Sequence, residues 1–256
     1  MASAAEQMAA NFSWSTLGKA KELRQRILFT LGLLIIYRIG TYIPVPGIDG
    51  AALRNFMAEA QAGLGGILSM FTGGALGRMG VFALGIMPYI SAAIIVQLLA
   101  AMIPSLEQLK KEGETGRKKL NQYTRYGTVA LALFQAYGLA RSLEAGGLAH
   151  DPGLFFQAAV VITLVGGTMF LMWLGEQITA RGIGNGISLI IFVGIIAEIP
   201  AALAQFLSQG RSGAISAPVT IGIIVMMAAL IGFVVFMERA LRKIHIQYPR
   251  RQVGMK

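Results

Sequence analysis

Cysteine is missing from all 256 residues, so disulfides and thiolate metal sites are excluded. Charge is scarce. Asp, Glu, Lys and Arg make up 13% of the chain, where a soluble domain carries about a quarter. Histidine occurs twice, at His150 and His245, far apart in the sequence. There is no Walker loop, no His-Glu-x-x-His zinc pattern and no Ser-His-Asp set. The glycine cluster GIGNG at Gly182–Gly186 has no strand before it, so it is not a dinucleotide-binding loop. The acidic residues lie mostly outside the apolar runs, which leaves an intramembrane protease without catalytic carboxylates.

Apolar residues fill the space that charge vacates. They make up 55% of the chain, and the mean hydropathy is +0.64. Glycine, at 32 residues, suits helices that pack closely in a membrane. A bilayer core of roughly 30 Å needs about 20 apolar residues per helix, and six runs meet or approach that length: Ile27 to Tyr42, Val81 to Ile103, Tyr123 to Leu143, Phe155 to Leu174, Ile183 to Leu207 and Pro218 to Met237.

The net charge of +10 has an uneven distribution. Seventeen of the 22 Lys and Arg residues fall before the first run, after the second and fourth runs, or after the sixth. Positive charge stays inside, so both termini are expected on the cytoplasmic side. No signal-peptide cleavage site follows the first run. Phe12 to Arg26 reads either as an amphipathic helix on the inner membrane surface or as a solvated tail. Arg38 lies well inside the first run, where a charge costs about 2.5–3.5 kcal/mol at mid-bilayer. It either snorkels outward or pairs with a group outside the chain. Glu198, beside Pro200, reads as a lone interfacial carboxylate.

Between the first two runs, GLGGILSMFTGGALGRMG (Gly63 to Gly80) is moderately apolar, too short to span and broken by glycines. Irregular backbone at membrane depth persists only within protein or a watery cavity. The segment is therefore either a re-entrant piece or an external loop, and its glycines would let it swing. Ile86 and Ile90 are four residues apart, as are Ile187 and Ile191, so each pair shares a helix face. Such pairs ordinarily face lipid or pack. Pro88, between the first two, is expected to kink or loosen that helix.

Three stretches carry a resemblance. GTMFLMWLGEQITARGIGNGISLIIF (Gly167 to Phe192) is an apolar helix, a polar turn of unusual order and a second apolar helix. FALGIMPYISAAIIVQLL (Phe82 to Leu99) and KKEGETGRKKLNQYTRYGT (Lys110 to Thr128) precede it at matching spacing. Together they resemble the SecY family, the central subunit of the protein-conducting channel, over about Leu23 to Gly254.

The resemblance implies an all-α, polytopic membrane helix bundle: the N-terminal half of an inverted-repeat fold plus one further helix. Residues 1–26 would form a cytosolic segment, 27–207 the first channel half and 208–256 a periplasmic loop, the sixth span and a tail. It implies a plug at about Leu64 to Leu76, including Leu64, Ile67, Leu68, Gly73 and Gly74, with Phe71 in its core. Ile86, Ile90, Ile187 and Ile191 would belong to the pore ring, and Ser91 with Ile90 to a lateral gate. Lys110, Lys111, Arg117, Lys118 and Lys119 would lie in a basic, flexible docking loop, although positive-inside topology explains the same charges. The implied partners are the SecE and SecG subunits, the SecA motor ATPase, the ribosome, signal sequences and membrane lipids, in a bacterial inner membrane. No enzymatic activity and no cofactor are implied.

Family members have ten spans, so these six are expected not to form a sealed channel alone. The rival readings are a small-solute secondary transporter, which needs polar groups converging at the midplane, and an inactive fragment that only binds partner subunits.

Overall fold

The computed structural model describes residues 21–50, 52–53, 69–211 and 217–240. The principal helices among them are α1 (Lys21–Gly40), α2 (Met87–Met102), α3 (Pro104–Lys111), α4 (Glu114–Ala145), α5 (Leu154–Arg181), α6 (Gly186–Arg211) and α7 (Ala217–Arg239). The chain divides into two compact units, Met1–Pro200 and Ala201–Lys256.

In the first unit α5 is the central helix, and its sequence explains why. Phe156, Val160, Leu164, Gly167, Leu171, Leu174 and Ile178 recur at steps of three or four, and all are buried. That spacing lays one continuous apolar stripe along the helix. α5 packs on α1, α2 and α4. α4 answers with a stripe of small side chains at steps of four, Thr124, Thr128, Ala132, Ala136 and Ala140, all buried. Small residues let membrane helices approach closely. The two threonine hydroxyls donate back to Leu120 O at 3.0 Å and Thr124 O at 2.7 Å, so neither is left unbonded.

One buried hydroxyl differs. Thr168 Oγ1 on α5 has no hydrogen-bond partner among the described residues. A buried polar atom without a partner costs about 1–3 kcal/mol. Thr168→Val is therefore expected to stabilise the protein by about 1 kcal/mol, read as a raised thermal midpoint in detergent. A lowered midpoint would show that the hydroxyl is bonded.

The strip from Ile43 to Asp49 follows α1 and is held by main-chain hydrogen bonds on both sides. Val45 N donates to Met79 O and Val81 N to Ile43 O, both at 2.9 Å. Asp49 N donates to Leu148 O and His150 N to Gly47 O, also at 2.9 Å.

The second apolar run is not one helix from Val81 to Ile103. Residues 72–86 fold as successive turns, and α2 starts only at Met87. Gly85 holds φ +57, a left-handed conformation that glycine adopts without strain. Pro88 sits in the first turn of α2, where its missing N–H costs nothing. It opens the helix and does not kink it. At the other end Ile103 is extended before Pro104, as a residue preceding proline prefers. α2 and α3 consequently meet at 101°.

Among the described residues α5, α6 and α7 are long and apolar enough to cross a membrane, and α2 with α3 qualifies as a bent pair. α1 carries Lys21, Glu22, Arg24, Arg26 and Arg38, and α4 opens on a charged stretch through Arg125. Neither α1 nor α4, the remaining two expected spans, is apolar enough over a full crossing length to join them. α5 also runs on to Arg181, so the polar residues Glu176 to Arg181 are helical and the turn is shorter than the sequence implies. In the second unit α7 leaves its apolar side chains exposed on every face, the pattern of a helix that meets lipid or other apolar surface.

Candidate functional site

The glycine-rich turn between α5 and α6 is built from side-chain caps. Asn185 Oδ1 accepts from Ile187 N at 3.1 Å and Ser188 N at 3.4 Å, capping the start of α6. Thr179 Oγ1 donates to Gly175 O and accepts from Gly186 N, both at 2.9 Å. Thr30 Oγ1 of α1 accepts from Ile183 N at 3.2 Å. These bonds tie the turn to α1 and fix how α6 returns beside α5.

That return brings the four isoleucines together. Ile86 is 5% exposed and lies in one apolar cluster with Tyr37, Phe82, Leu171, Leu174, Ile178 and Ile190. Ile90, Ile187 and Ile191 are half-buried and pack against the same cluster. Ile86 stands at the N-cap of α2 and accepts Ile90 N at 3.1 Å, so the two remain neighbours although Ile86 precedes the helix. Ser91 follows Ile90 on α2 and is half-buried.

The segment expected to be a plug is only partly described. Leu64, Ile67 and Leu68 lie outside the described residues. Phe71, expected in the plug's core, is 43% exposed and ends the helical residues described at 69–71. Gly73 and Gly74 do not sit in a helix. They hold φ +63 and +78 and form a tight turn, with Gly73 N bonded to Met70 O at 3.2 Å and Gly74 N to Ser69 O at 2.9 Å. Both are closely surrounded. A methyl on Gly73 would stand 3.1 Å from Gly194 Cα on α6, and one on Gly74 would strike the Arg78 guanidinium and the Glu198 carboxylate.

Arg38 and Glu198, unassigned by sequence, both find partners beside this turn. Arg38 NH1 donates to Gly73 O at 3.1 Å and Arg38 NH2 to Tyr42 Oη at 3.2 Å. Glu198 is not alone: its Oε1 accepts from Arg78 NH2 at 3.3 Å. A second ion pair joins α4 to α5, where Arg125 Nε and NH2 donate to Glu176 Oε1 and Oε2 at 3.0 and 2.7 Å. The sequence placed Arg125 and Glu176 at the ends of runs on the same side, and that shared depth was the signal that could have found the pair.

The five basic residues are exposed, but they do not lie in a flexible loop. Lys110 and Lys111 end α3, while Arg117, Lys118 and Lys119 lie in the first turns of α4. Lys111 Nζ pairs with Glu107 Oε1 at 2.7 Å. Lys110 and Arg117 flank a cavity of about 520 Å³ between α2, α3 and α4, which Tyr89, Gln97, Asn121 and Thr124 also line.

A family model for SecY matches residues 80–256. Protein translocase subunit SecY of Rickettsia conorii is 51% identical over 254 residues, covering 97% of this chain and 58% of that protein. The Escherichia coli K12 subunit of the same name is 51% identical over 244 residues, covering 94% and 55%. Among solved structures, Sec61 in the canine ribosome–channel complex from the endoplasmic reticulum matches with a TM-score of 0.58 and 21% identity, over 88% of this chain and 50% of that one. A structure of a protein-conducting channel matches with a TM-score of 0.55 and 22% identity, over 81% and 47%. The chain thus spans a little over half the length of these curated relatives.

Proposed function

Because the chain belongs to the SecY family and is a multi-pass membrane protein, we propose that it supplies the sealing half of a protein-conducting channel in a bacterial inner membrane. Unfolded secretory polypeptides pass through this channel, and apolar membrane segments leave it sideways into lipid. The N-terminus is cytoplasmic, in keeping with the distribution of Lys and Arg. The remaining spans and the SecE and SecG subunits complete the path. The exposed basic residues on α3 and α4 face the SecA motor or the ribosome, where phosphate or carboxylate contacts position a partner without reading its sequence. No bond is made or broken by this chain.

The observation that carries the reading is the meeting of Ile86 and Ile90 with Ile187 and Ile191 in one apolar cluster, from two elements far apart in sequence. Branched alkyl groups offer a passing peptide no hydrogen bonds, so they select no sequence. Between peptides they exclude ions, which would lose hydration without replacement. The glycine-rich turn at 69–80 is the described end of a plug that backs this seal.

Cysteine placed singly at Ile86, Ile90 or Ile187 tests the proposal, since the parent chain has none. A translation-arrested, signal-bearing nascent chain is expected to crosslink to these three. It is not expected to crosslink to a cysteine at Phe134, which is 79% exposed on α4. Equal crosslinking at all four would remove the channel assignment.

A further inference from the structure

The carbonyl of Gly73 is shared by two guanidiniums. Arg38 reaches it from α1 and Arg78 from within the turn, each at 3.1 Å. Both guanidiniums also lie near the Tyr42 ring, 5.4 Å and 4.4 Å from its centroid. Two like charges converging on one oxygen repel each other. The Glu198 carboxylate, 3.3 Å from Arg78, offsets that repulsion and holds Arg78 folded over the turn.

The carboxylate comes from a helix face that already serves the seal. Ile187, Ile191, Gly194 and Glu198 follow each other on α6 at steps of four, three and four, which places them along one stripe. The two isoleucines pack in the apolar cluster. Gly194 lets the backbone of the turn approach, with Gly73 N and Phe71 O each 3.3 Å from where its Cβ would stand. Glu198 then closes on Arg78. Besides the Arg38 bond to Gly73 O and the Val45 N bond to Met79 O, the 72–80 turn is held by Tyr37 Oη donating to Thr72 O at 3.4 Å, by the glycine–glycine approach and by the ion pair.

We propose that the Arg78–Glu198 pair is a latch on this turn, with Glu198 a positioning residue that sets how readily the turn leaves its seat between α1 and α6. The proposal rests on the reading of the chain as the sealing half of a channel. One helix carries both ring isoleucines and the latch carboxylate. Moving α6 to widen the path therefore stretches the ion pair, and opening and unlatching become a single event. A path widened by a polypeptide releases its own plug stem, while a closed ring keeps the stem latched.

The test uses the absence of native cysteine. Ala75, 0% exposed within the turn, is replaced by cysteine, and its labelling by a membrane-impermeant maleimide is timed in membranes from cells producing the protein. Thr72→Cys provides a second probe should Ala75→Cys fold poorly. Glu198→Gln and Arg78→Gln are each expected to raise the labelling rate about threefold, the scale of a partly exposed ion pair. Glu198→Asp keeps the charge and is expected to label at close to the parent rate. The double variant Arg78→Gln/Glu198→Gln is expected to label no faster than the faster single variant, the signature of two groups acting through each other. Parent rates in Glu198→Gln, or effects that multiply in the double variant, overturn the latch. Translocation of a signal-bearing substrate is assayed on the same membranes. Coupled labelling without translocation would keep the latch and sink the channel reading, and translocation with unchanged labelling would do the reverse.

Discussion

Gly167→Ala is expected to destabilise the protein by about 1–3 kcal/mol, the usual range for overpacking, whereas Gly166→Ala on the same helix is expected to stabilise it by about 0.5–1 kcal/mol. The two positions are adjacent on α5 but face opposite surroundings. A methyl on Gly166 meets nothing within 4 Å, so the gain is the ordinary helix preference of alanine over glycine. A methyl on Gly167 would run into the carbonyl oxygen of Val81. That oxygen cannot retreat freely, because Val81 N is bonded to Ile43 O at 2.9 Å and the Val81 side chain packs in the apolar cluster. The substitution therefore pushes the turn that leads into Ile86 away from α5. Thermal unfolding of the two purified variants in one detergent settles the matter. Equal midpoints would show that the turn is not seated on α5 as described.

Replacing Ile86, Ile90, Ile187 and Ile191 together by asparagine is expected to raise ion leakage by roughly tenfold or more. In the proposed channel, the barrier to an ion is the loss of hydration in an apolar constriction. Each asparagine adds an amide whose unbonded burial costs about 1–3 kcal/mol, so the site relieves itself by admitting water. Lowering an ion's barrier by about 1.4 kcal/mol already gives a factor of ten. Single substitutions should give smaller, graded increases, and Ile→Val at the same positions should give none, because valine keeps the apolar surface. The measurement is ion flux through vesicles holding the assembled channel without substrate. Unchanged flux in the fourfold variant would mean that these residues line no path.

Local signals in the sequence read well. The apolar runs, the glycine-rich turn at 182–186 and the order of its polar residues point to the family, and the i, i+4 isoleucine pairs border one apolar cluster. What the sequence conceals is pairing across long separations. Arg78 and Glu198 are 120 residues apart, with no shared depth in the sequence to link them. Periodicity within one helix carries no information about such partners, so Glu198 reads as solitary until α6 is placed beside the turn. Local context misleads at Pro88 too. In an apolar run a proline reads as a kink, but a left-handed Gly85 just before it stops the helix from extending backward. The residue then stands at a beginning. Gly73 and Gly74 reverse in the same way: glycine permits motion in an isolated segment, but here its missing side chain admits the close contacts that restrain the turn.

The strip from Ile43 to Asp49 carries a different lesson. Its four bonds to residues 79–81 and 148–150 run from main chain to main chain, so they are indifferent to the side chains that happen to decorate them. Those bonds do not read side chains, but Gly47, at φ +83 with Phe156 beside it, and the buried Val45 are constrained by their own surroundings. Proline alone lacks the amide proton on which the clasp depends, and it is the one residue barred by this chemistry from Val45, Asp49, Val81 and His150.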